Sequence, residues 1–154
     1  MRKKRRFYLA DIVEVASECS AVHRVRRLGF ETGGRGADQK ALVLLTTTGA
    51  KTGQMHTTPV CVQQDGDRLV VAGTMGGAPR HPQWYRNLIA NPDLTVEFRG
   101  EQYAAKASTV PNGPERDRLF ARMNEVIPGA YGYQDRCRDH RQIPVISLER
   151  IAAA

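Results

Sequence analysis

Apolar and polar residues alternate along this chain with the periods of both helices and strands. Between Tyr8 and Leu28 the apolar residues recur at three- and four-residue steps, which predicts an amphipathic helix that ends at Gly29. The glycine-containing segment 31–40 has no large apolar residue and is predicted to be a linker. The next segment, ALVLLTTT at 41–48, is predicted to be a strand buried on both faces.

Turn residues divide the remainder into hairpins. Asp65-Gly66-Asp67 and Arg99-Gly100 each lie between two segments with strand patterns, so each predicts a tight turn. Pro59 lies within the first of these strands and requires an edge or a bulge there. The predicted strands cover 54–64, 68–74, 94–98, 102–110 and 143–148.

Two further helices are predicted at the periphery of this sheet. Pro82 suits the first turn of a short helix that Asn91-Pro92 ends. Asn112 and Glu115 form a candidate capping box for a longer helix, and a Tyr/Arg-rich loop follows it. About six strands, joined mainly by hairpins, and three helices predict a mainly β (α+β) fold, an antiparallel barrel-like sheet with peripheral helices.

Length and composition narrow the class of protein. The chain has 154 residues, 41% apolar and 25% charged, which suits a single compact core. We expect a soluble, non-secreted protein because no spanning segment or signal core is evident. Three scattered cysteines, Cys19, Cys61 and Cys137, indicate neither a disulfide framework nor a metal site and fit a reducing cytoplasm.

The formal charge of +7 is unevenly distributed. Residues 1–40 carry ten Lys/Arg against five Asp/Glu, whereas residues 41–154 carry thirteen against eleven. We therefore predict a basic arm, helix and linker over 1–40 and a barrel domain over 41–154. The arm has three interpretations, in this order: a solvated helix packed on the barrel, contact with an anionic membrane on its inner face, and nucleic-acid binding. No aromatic residues are interleaved with the basic ones, so no nucleic-acid partner is expected.

The first of two glycine-rich segments is TTTGAKTGQMHTTP at 46–59. Gly49 and Gly53 allow backbone N–H groups to turn toward a ligand, and Lys51 and His56 supply positive charge. These donors and positive charges suit the binding of an anion. A plain hairpin with a solvated Lys51 explains the segment, taken alone, at least as well.

The second segment is TMGGAPRHPQWYRNL at 74–88. Gly76 and Gly77 permit close approach of the backbone to a flat or bulky group, and Arg80 lies beside the helix that Pro82 begins, whose N-terminal end favours anions. Trp84 has two interpretations: a core anchor, which is the commoner role, or a wall of a ring-binding pocket.

Taken together, LTTTGAKTGQ and GGAPRHPQWYRNLIANPDLTVE, with IPVISLER as the last strand, resemble the deazaflavin-dependent nitroreductase family. The resemblance spans 41–150. These proteins are split β-barrel flavin or deazaflavin oxidoreductases, found largely in actinobacteria.

The resemblance implies a site for coenzyme F420, a deazaflavin with a phosphate and an oligoglutamate tail, without a metal. Residues implied on the phosphate side are Lys51, Thr52, Gly53, His56 and Pro59. Residues implied around the deazaflavin and its linker are Thr74, Met75, Gly76, Gly77, Ala78, Trp84 and Asn87, and the charge of Arg80 suits the anionic tail.

The implied reaction is hydride transfer from the reduced deazaflavin to an electron-poor small molecule: a quinone, an enone or a nitro compound. Tyr131 and Tyr133 resemble family tyrosines that cover the substrate and could donate a hydrogen bond or a proton, and Cys61 occupies a substrate-facing position. Half-buried loop anchors explain the two tyrosines equally well. FMN as the cofactor and a non-catalytic F420 or lipid carrier are the alternative functions, and the protein is expected as a monomer or a homodimer.

Overall fold

The computed structural model describes residues 22, 31–32, 40–127 and 129–152. The strands are β1 (Glu31–Thr32), β2 (Lys40–Thr48), β3 (Met55–Asp65), β4 (Arg68–Ala72), β5 (Asp93–Phe98), β6 (Glu101–Thr109) and β7 (Val145–Arg150). The helices are α1 (Gln83–Ala90), α2 (Pro114–Val126) and α3 (Ala130–Cys137), and a 3-10 turn covers Met75–Gly77.

The strands form one antiparallel sheet in the order β1-β2-β3-β4-β7-β6-β5. An additional antiparallel pairing of β2 with β5, at Leu44–Thr46, joins the two sides of this sheet. The six strands β2 to β7 therefore close into a barrel, and closure leaves no unpaired outer strand among them. The predicted barrel with flanking helices is confirmed.

Local turn chemistry fixes two hairpins of the barrel. Arg99 and Gly100 both have positive φ angles, 49° and 79°, as a primed two-residue turn requires. In the β3–β4 turn Gly66 supplies the positive φ, 62°. In β3 only the last four residues, from Val62 to Asp65, pair with β4. Pro59 lies in the earlier half of β3, beyond this pairing, as its missing N–H requires.

Side chains on the two faces of β2 enter two separate cores. Val43 and Leu45 belong to a cluster that fills the barrel, and Trp84 of α1 joins it. Leu42 and Leu44 belong to an outer cluster between the sheet and the helices α2 and α3. The side chains of these four β2 residues are each at most 3% exposed. The prediction of a strand buried on both faces is thus correct, because the inner face meets the barrel core and the outer face meets helices.

Two local predictions are wrong. α2 begins after Gly113 without a side-chain cap, so Asn112 does not form the expected capping box. Pro114 begins the helix instead, and Glu115 bonds to Arg68. The segment after α2, expected as a loop, forms α3.

Little of the predicted arm lies within the described residues. Val22 is helical and 7% exposed, and it contacts the outer cluster. Glu31 and Thr32, expected in a linker, pair with Ala41 and Lys40 of β2. The rest of 1–39 lies outside the described residues, including the basic run at the start of the chain. Within the described ranges no helix is long and apolar enough to cross a membrane.

Candidate functional site

The first glycine loop, which we define as Gly49–Gln54, connects β2 to β3. The amide of Gly49 donates to the Gln54 carbonyl at 2.7 Å, and the amide of Gly53 donates to the Gly49 carbonyl at 2.9 Å. A Cβ on Gly49 would lie 2.7 Å from Oγ1 of Thr52, which is too close for any other residue. Gly53 has a φ of 71° and open space beside it. The loop is therefore tight on its inner side and accessible at Gly53.

Asn87 of α1 holds this loop in place. Its side-chain oxygen accepts hydrogen bonds from the Ala50 amide at 3.1 Å and from Nε2 of Gln83 at 3.0 Å. Its Nδ2 donates to Oγ1 of Thr47 at 3.1 Å. Because Asn87 is only 1% exposed, it supports the predicted cofactor-binding loop from beneath.

The positive groups of the predicted anion site lie at the surface. Lys51 and Arg80 are exposed, and neither has an ion pair with any acidic group in the described part of the chain. Thr52 is exposed beside Lys51, and half-buried His56 lies opposite Thr47 in the β2–β3 register. Both positive side chains can therefore meet an anion.

The second glycine loop, which we define as Gly73–Ala78, follows β4 and contains the 3-10 turn. Gly76 and Gly77 have φ angles of 62° and 79°, and Met75 is also in the left-handed region at 43°. A Cβ on Gly76 would meet nothing within 4 Å, whereas a Cβ on Gly77 would lie 2.9 Å from the Tyr133 carbonyl. Gly76 faces open space, and Gly77 allows α3 to pack on the loop.

Arg141 binds the opposite side of the second loop, and the sequence did not single it out. Its guanidinium donates to the carbonyls of Gly73 at 2.8 Å, Thr74 at 2.9 Å and Ala78 at 2.8 Å. It is 9% exposed, and burial lowers its pKa. No local motif marks this residue, because its partners lie more than sixty positions earlier in the chain.

His81 connects Arg141 to the start of α1. Its Nδ1 lies 3.3 Å from Nη1 of Arg141 and accepts the hydrogen bond, because a guanidinium only donates. Its ring packs edge-on against Tyr85 at 4.9 Å. Burial lowers the pKa of His81, and the charges of Arg141 and Arg86 lower it further.

α3 lies against the second loop and carries both predicted catalytic tyrosines. Arg136 donates from Nη1 to the Gly76 carbonyl at 2.9 Å. Tyr133 is half-buried against the outer cluster, and its backbone borders Gly77. Tyr131 is 50% exposed and packs edge-on against Phe120 at 5.3 Å. The structure therefore places Tyr133 nearer to the loop.

The other predicted residues take different positions. Trp84 is 9% exposed and anchors the barrel core. Cys61 is 2% exposed and lies in the outer cluster against which Tyr133 packs. Pro59 is half-buried opposite Leu44. The loop residues Thr52, Gly53, Met75 and Gly76 are exposed, and Thr74 and Ala78 are half-buried.

The described strands form a closed antiparallel barrel with two glycine loops beside α1, and this split-barrel class includes an F420-dependent reductase. One solved structure with this barrel, an F420H2-dependent reductase named FDR-A, is 32% identical and has a TM-score of 0.63. The similarity covers 70% of this chain and 93% of that one. A second solved structure, described as a domain-swapped dimer, is 28% identical and has a TM-score of 0.63. This similarity covers 85% of the present chain and 96% of the other.

Sequence comparisons point to the same group. An F420H2-dependent quinone reductase of Mycobacterium tuberculosis is 41% identical over 110 residues, which covers 70% of this chain and 72% of the relative. The family model described as F420H2-dependent quinone reductase matches residues 19–150. The chain belongs to this family. Membership confirms the predicted F420-related family, the oxidoreductase class and F420 as the cofactor.

Proposed function

We propose that this protein is an F420H2-dependent quinone reductase in which the two glycine loops hold the coenzyme. The observation that supports it best is that the first loop bonds to Asn87 of α1 and the second approaches Pro82 at the start of α1. Lys51 and Arg80 are exposed and not paired to acids among the described residues. Two accessible cations beside glycine turns suit a coenzyme with a phosphate and several carboxylates.

The first loop is proposed to bind the phosphate side of F420. Lys51 and Thr52 would bind anionic oxygens, and Gly53 leaves open space for close approach of the backbone. His56 adds a polar ring next to this loop: a Cβ on Gly49 would lie 3.4 Å from its Nε2. Asn87 would act only through the loop that it holds.

The second loop is proposed to receive the deazaflavin ring and its linker. The open side of Gly76 fits a flat group, since a Cβ there would occupy otherwise free space. Thr74, Met75 and Ala78 border that position, and Arg80 follows at the surface. Trp84 would stabilise this region from the barrel core.

When bound and reduced, F420 supplies a hydride from C5 of its deazaflavin ring. The protein's own part is to hold the acceptor against that ring and to supply a donor where negative charge develops. Residues two apart on a helix point to different sides, so Tyr131 and Tyr133 cannot share one role. We assign the donor role to the Tyr133 hydroxyl because its backbone borders the second loop. Cys61 would pack beneath Tyr133 on the substrate side, within the outer cluster.

The experiment compares Tyr133→Phe with Tyr131→Phe. We expect turnover of a water-soluble quinone to fall about tenfold to a thousandfold in Tyr133→Phe, with little change in F420 affinity, because a hydrogen-bond donor to the reacting oxygen is lost. Tyr131→Phe is the matched control. Stopped-flow oxidation of reduced F420 measures the rates. Unchanged turnover in Tyr133→Phe removes it from the reaction.

Fluorescence titration tests the cofactor and the function together. F420 should bind more tightly than FMN. FMN binding without F420 binding would support the flavin alternative, and F420 binding without turnover of any quinone, enone or nitro compound would support a carrier.

We further propose that residues 1–40 form an arm packed on the barrel domain 41–154, because Val22 lies in the outer cluster. Deleting 1–40 should then lower thermal stability.

Peripheral membrane contact of the arm is tested by co-sedimentation with anionic vesicles. The relative described as a domain-swapped dimer supports a homodimer, which light scattering measures.

A further inference from the structure

We propose that Arg141 is a positioning residue for the coenzyme: it holds the second glycine loop in the shape that receives F420. This proposal rests on the proposed F420 site. Arg141 faces the loop from inside the protein and would not contact the coenzyme itself.

Three nitrogen atoms of one planar group bind three carbonyls of the loop. Nη1 binds Gly73 and Nη2 binds Thr74, at the start of the loop, while Nε binds Ala78 at its end. The guanidinium therefore joins the two ends of the loop across the 3-10 turn. A lysine has a single nitrogen and cannot reproduce this fork.

The environment of Arg141 argues against a role in ion pairing. The residue is 9% exposed and has no carboxylate partner among the described residues, so its charge is balanced by carbonyl dipoles and by Nδ1 of His81. A buried cation without an acid is costly unless hydrogen bonds satisfy it. Its position behind the loop proposed to receive the deazaflavin and its linker gives this charge a use, because it adds positive potential near an anionic coenzyme.

The segment that carries Arg141 is itself fixed to α3. Gln134 donates from Nε2 to the Arg141 carbonyl at 3.2 Å and accepts from the Ile143 amide at 2.7 Å. Arg136, on the same helix, binds the Gly76 carbonyl. The loop, Arg141 and the helix that carries Tyr133 thus form one connected unit.

The test compares Arg141→Met with Arg116→Met. Arg116 is the matched control, since it is 7% exposed and donates from Nη2 to the Ile143 carbonyl at 2.6 Å. It therefore holds the segment that carries Arg141 and does not bond to the loop. We expect Arg141→Met to bind F420 about tenfold or more weakly, because hydrogen bonds that fix the loop are lost. Arg116→Met should lose stability while keeping wild-type F420 affinity.

Two measurements do not depend on F420. Amide hydrogen exchange at Gly77 and Ala78, whose N–H groups close the turn, should accelerate in Arg141→Met. The pKa of His81, followed by NMR, should rise because a repelling charge is removed. Neither change is expected in Arg116→Met.

The outcomes separate the two proposals. Wild-type F420 affinity in a folded Arg141→Met protein overturns the positioning role. If Arg141→Met does not fold, Arg141→Lys decides: weaker F420 binding supports the role, and unchanged binding overturns it. Absence of F420 binding in the wild type refutes the proposed function, and hydrogen exchange at Gly77 and Ala78 then still decides whether Arg141 fixes the loop.

Discussion

The two ends of the barrel differ in whether their positive side chains are paired with carboxylates. The glycine-loop end, formed by Gly49–Gln54 and Gly73–Ala78, exposes Lys51 and Arg80 without acidic partners in the described ranges. The Asp65 end lies at the other end of β3 and gathers Arg68, Arg118 and Arg122 around one carboxylate.

At the Asp65 end the arginines form short ion pairs. The carboxylate of Asp65 lies 3.1 Å from Arg68, 3.0 Å from Arg118 and 2.9 Å from Arg122. The hydrogen bond from Arg118, helped by Arg68 and opposed by burial, lowers the pKa of Asp65 to about 2. Arg68 also binds Glu115. Each of these arginines already has a carboxylate partner, so net charge alone does not locate a binding site.

Cavity size does not locate it either. A cavity of about 690 Å³ lies at the Asp65 end, and its walls include the ion pair of Glu101 with Arg150 and the ring of Tyr103. Arg150 also stacks on Tyr103 at 3.9 Å. Several of the charged groups in its walls already bind one another. The accessible glycine loops present the charge and backbone that F420 chemistry requires.

The largest expected effect comes from Gly77→Ala. The left-handed φ and the contact with the Tyr133 carbonyl should together cost about 2–4 kcal/mol and displace α3 from the loop. Thermal unfolding and F420 titration measure the change. Gly76→Ala is the control: it has strain but no clash, so about 1 kcal/mol is expected. Equal losses in both variants would contradict the packing role of Gly77.

A smaller effect is expected for Lys51→Ala. F420 should bind about tenfold more weakly because a charge-assisted contact to the anionic tail is lost. The affinity for a deazaflavin without the tail should fall less. Arg118→Ala, which removes the same charge at the Asp65 end, should leave F420 binding unchanged. Titration at low and high salt measures all three, and equal weakening of both ligands by Lys51→Ala would refute its anion role.

The smallest effect, about 1 kcal/mol, is expected for Asp65→Asn, since partly exposed ion pairs contribute modestly. Because folding lowers the pKa of Asp65 from 3.8 to about 2, its stabilisation is present above pH 3.8 and is lost as the pH falls toward 2. Denaturant unfolding across this pH range should show a smaller acid loss in Asp65→Asn than in Asp67→Asn, the exposed control. F420 affinity should not change in either variant.

Short-range patterns account for the parts of the fold that the sequence predicted well. The hairpin turn at Arg99-Gly100 and the helix that follows Pro82 depend on the φ angles or missing donors of a few adjacent residues. α3 was expected as a loop because its apolar pattern is weak, and its packing on Gly77 is a tertiary contact. The capping box at Asn112 failed because Glu115 has a partner, Arg68, that is distant in sequence.

The candidate site also has some features that the sequence predicts and others that depend on tertiary contacts. The glycine segments and their cations were evident because turn geometry and charge are local properties. The different tasks of Gly76 and Gly77, and of Tyr131 and Tyr133, depend on which side of the backbone each neighbouring element occupies. Asn87 was named for the coenzyme, and the structure shows it supporting a loop.

By itself, the sequence determined the strand and turn pattern, the family and the coenzyme, since these are written in contiguous motifs and local backbone preferences. The tertiary structure decided which charges stay unpaired and which buried groups hold the loops. Arg141 shows the reason: its carbonyl partners become neighbours only when the barrel brings together segments more than sixty residues apart.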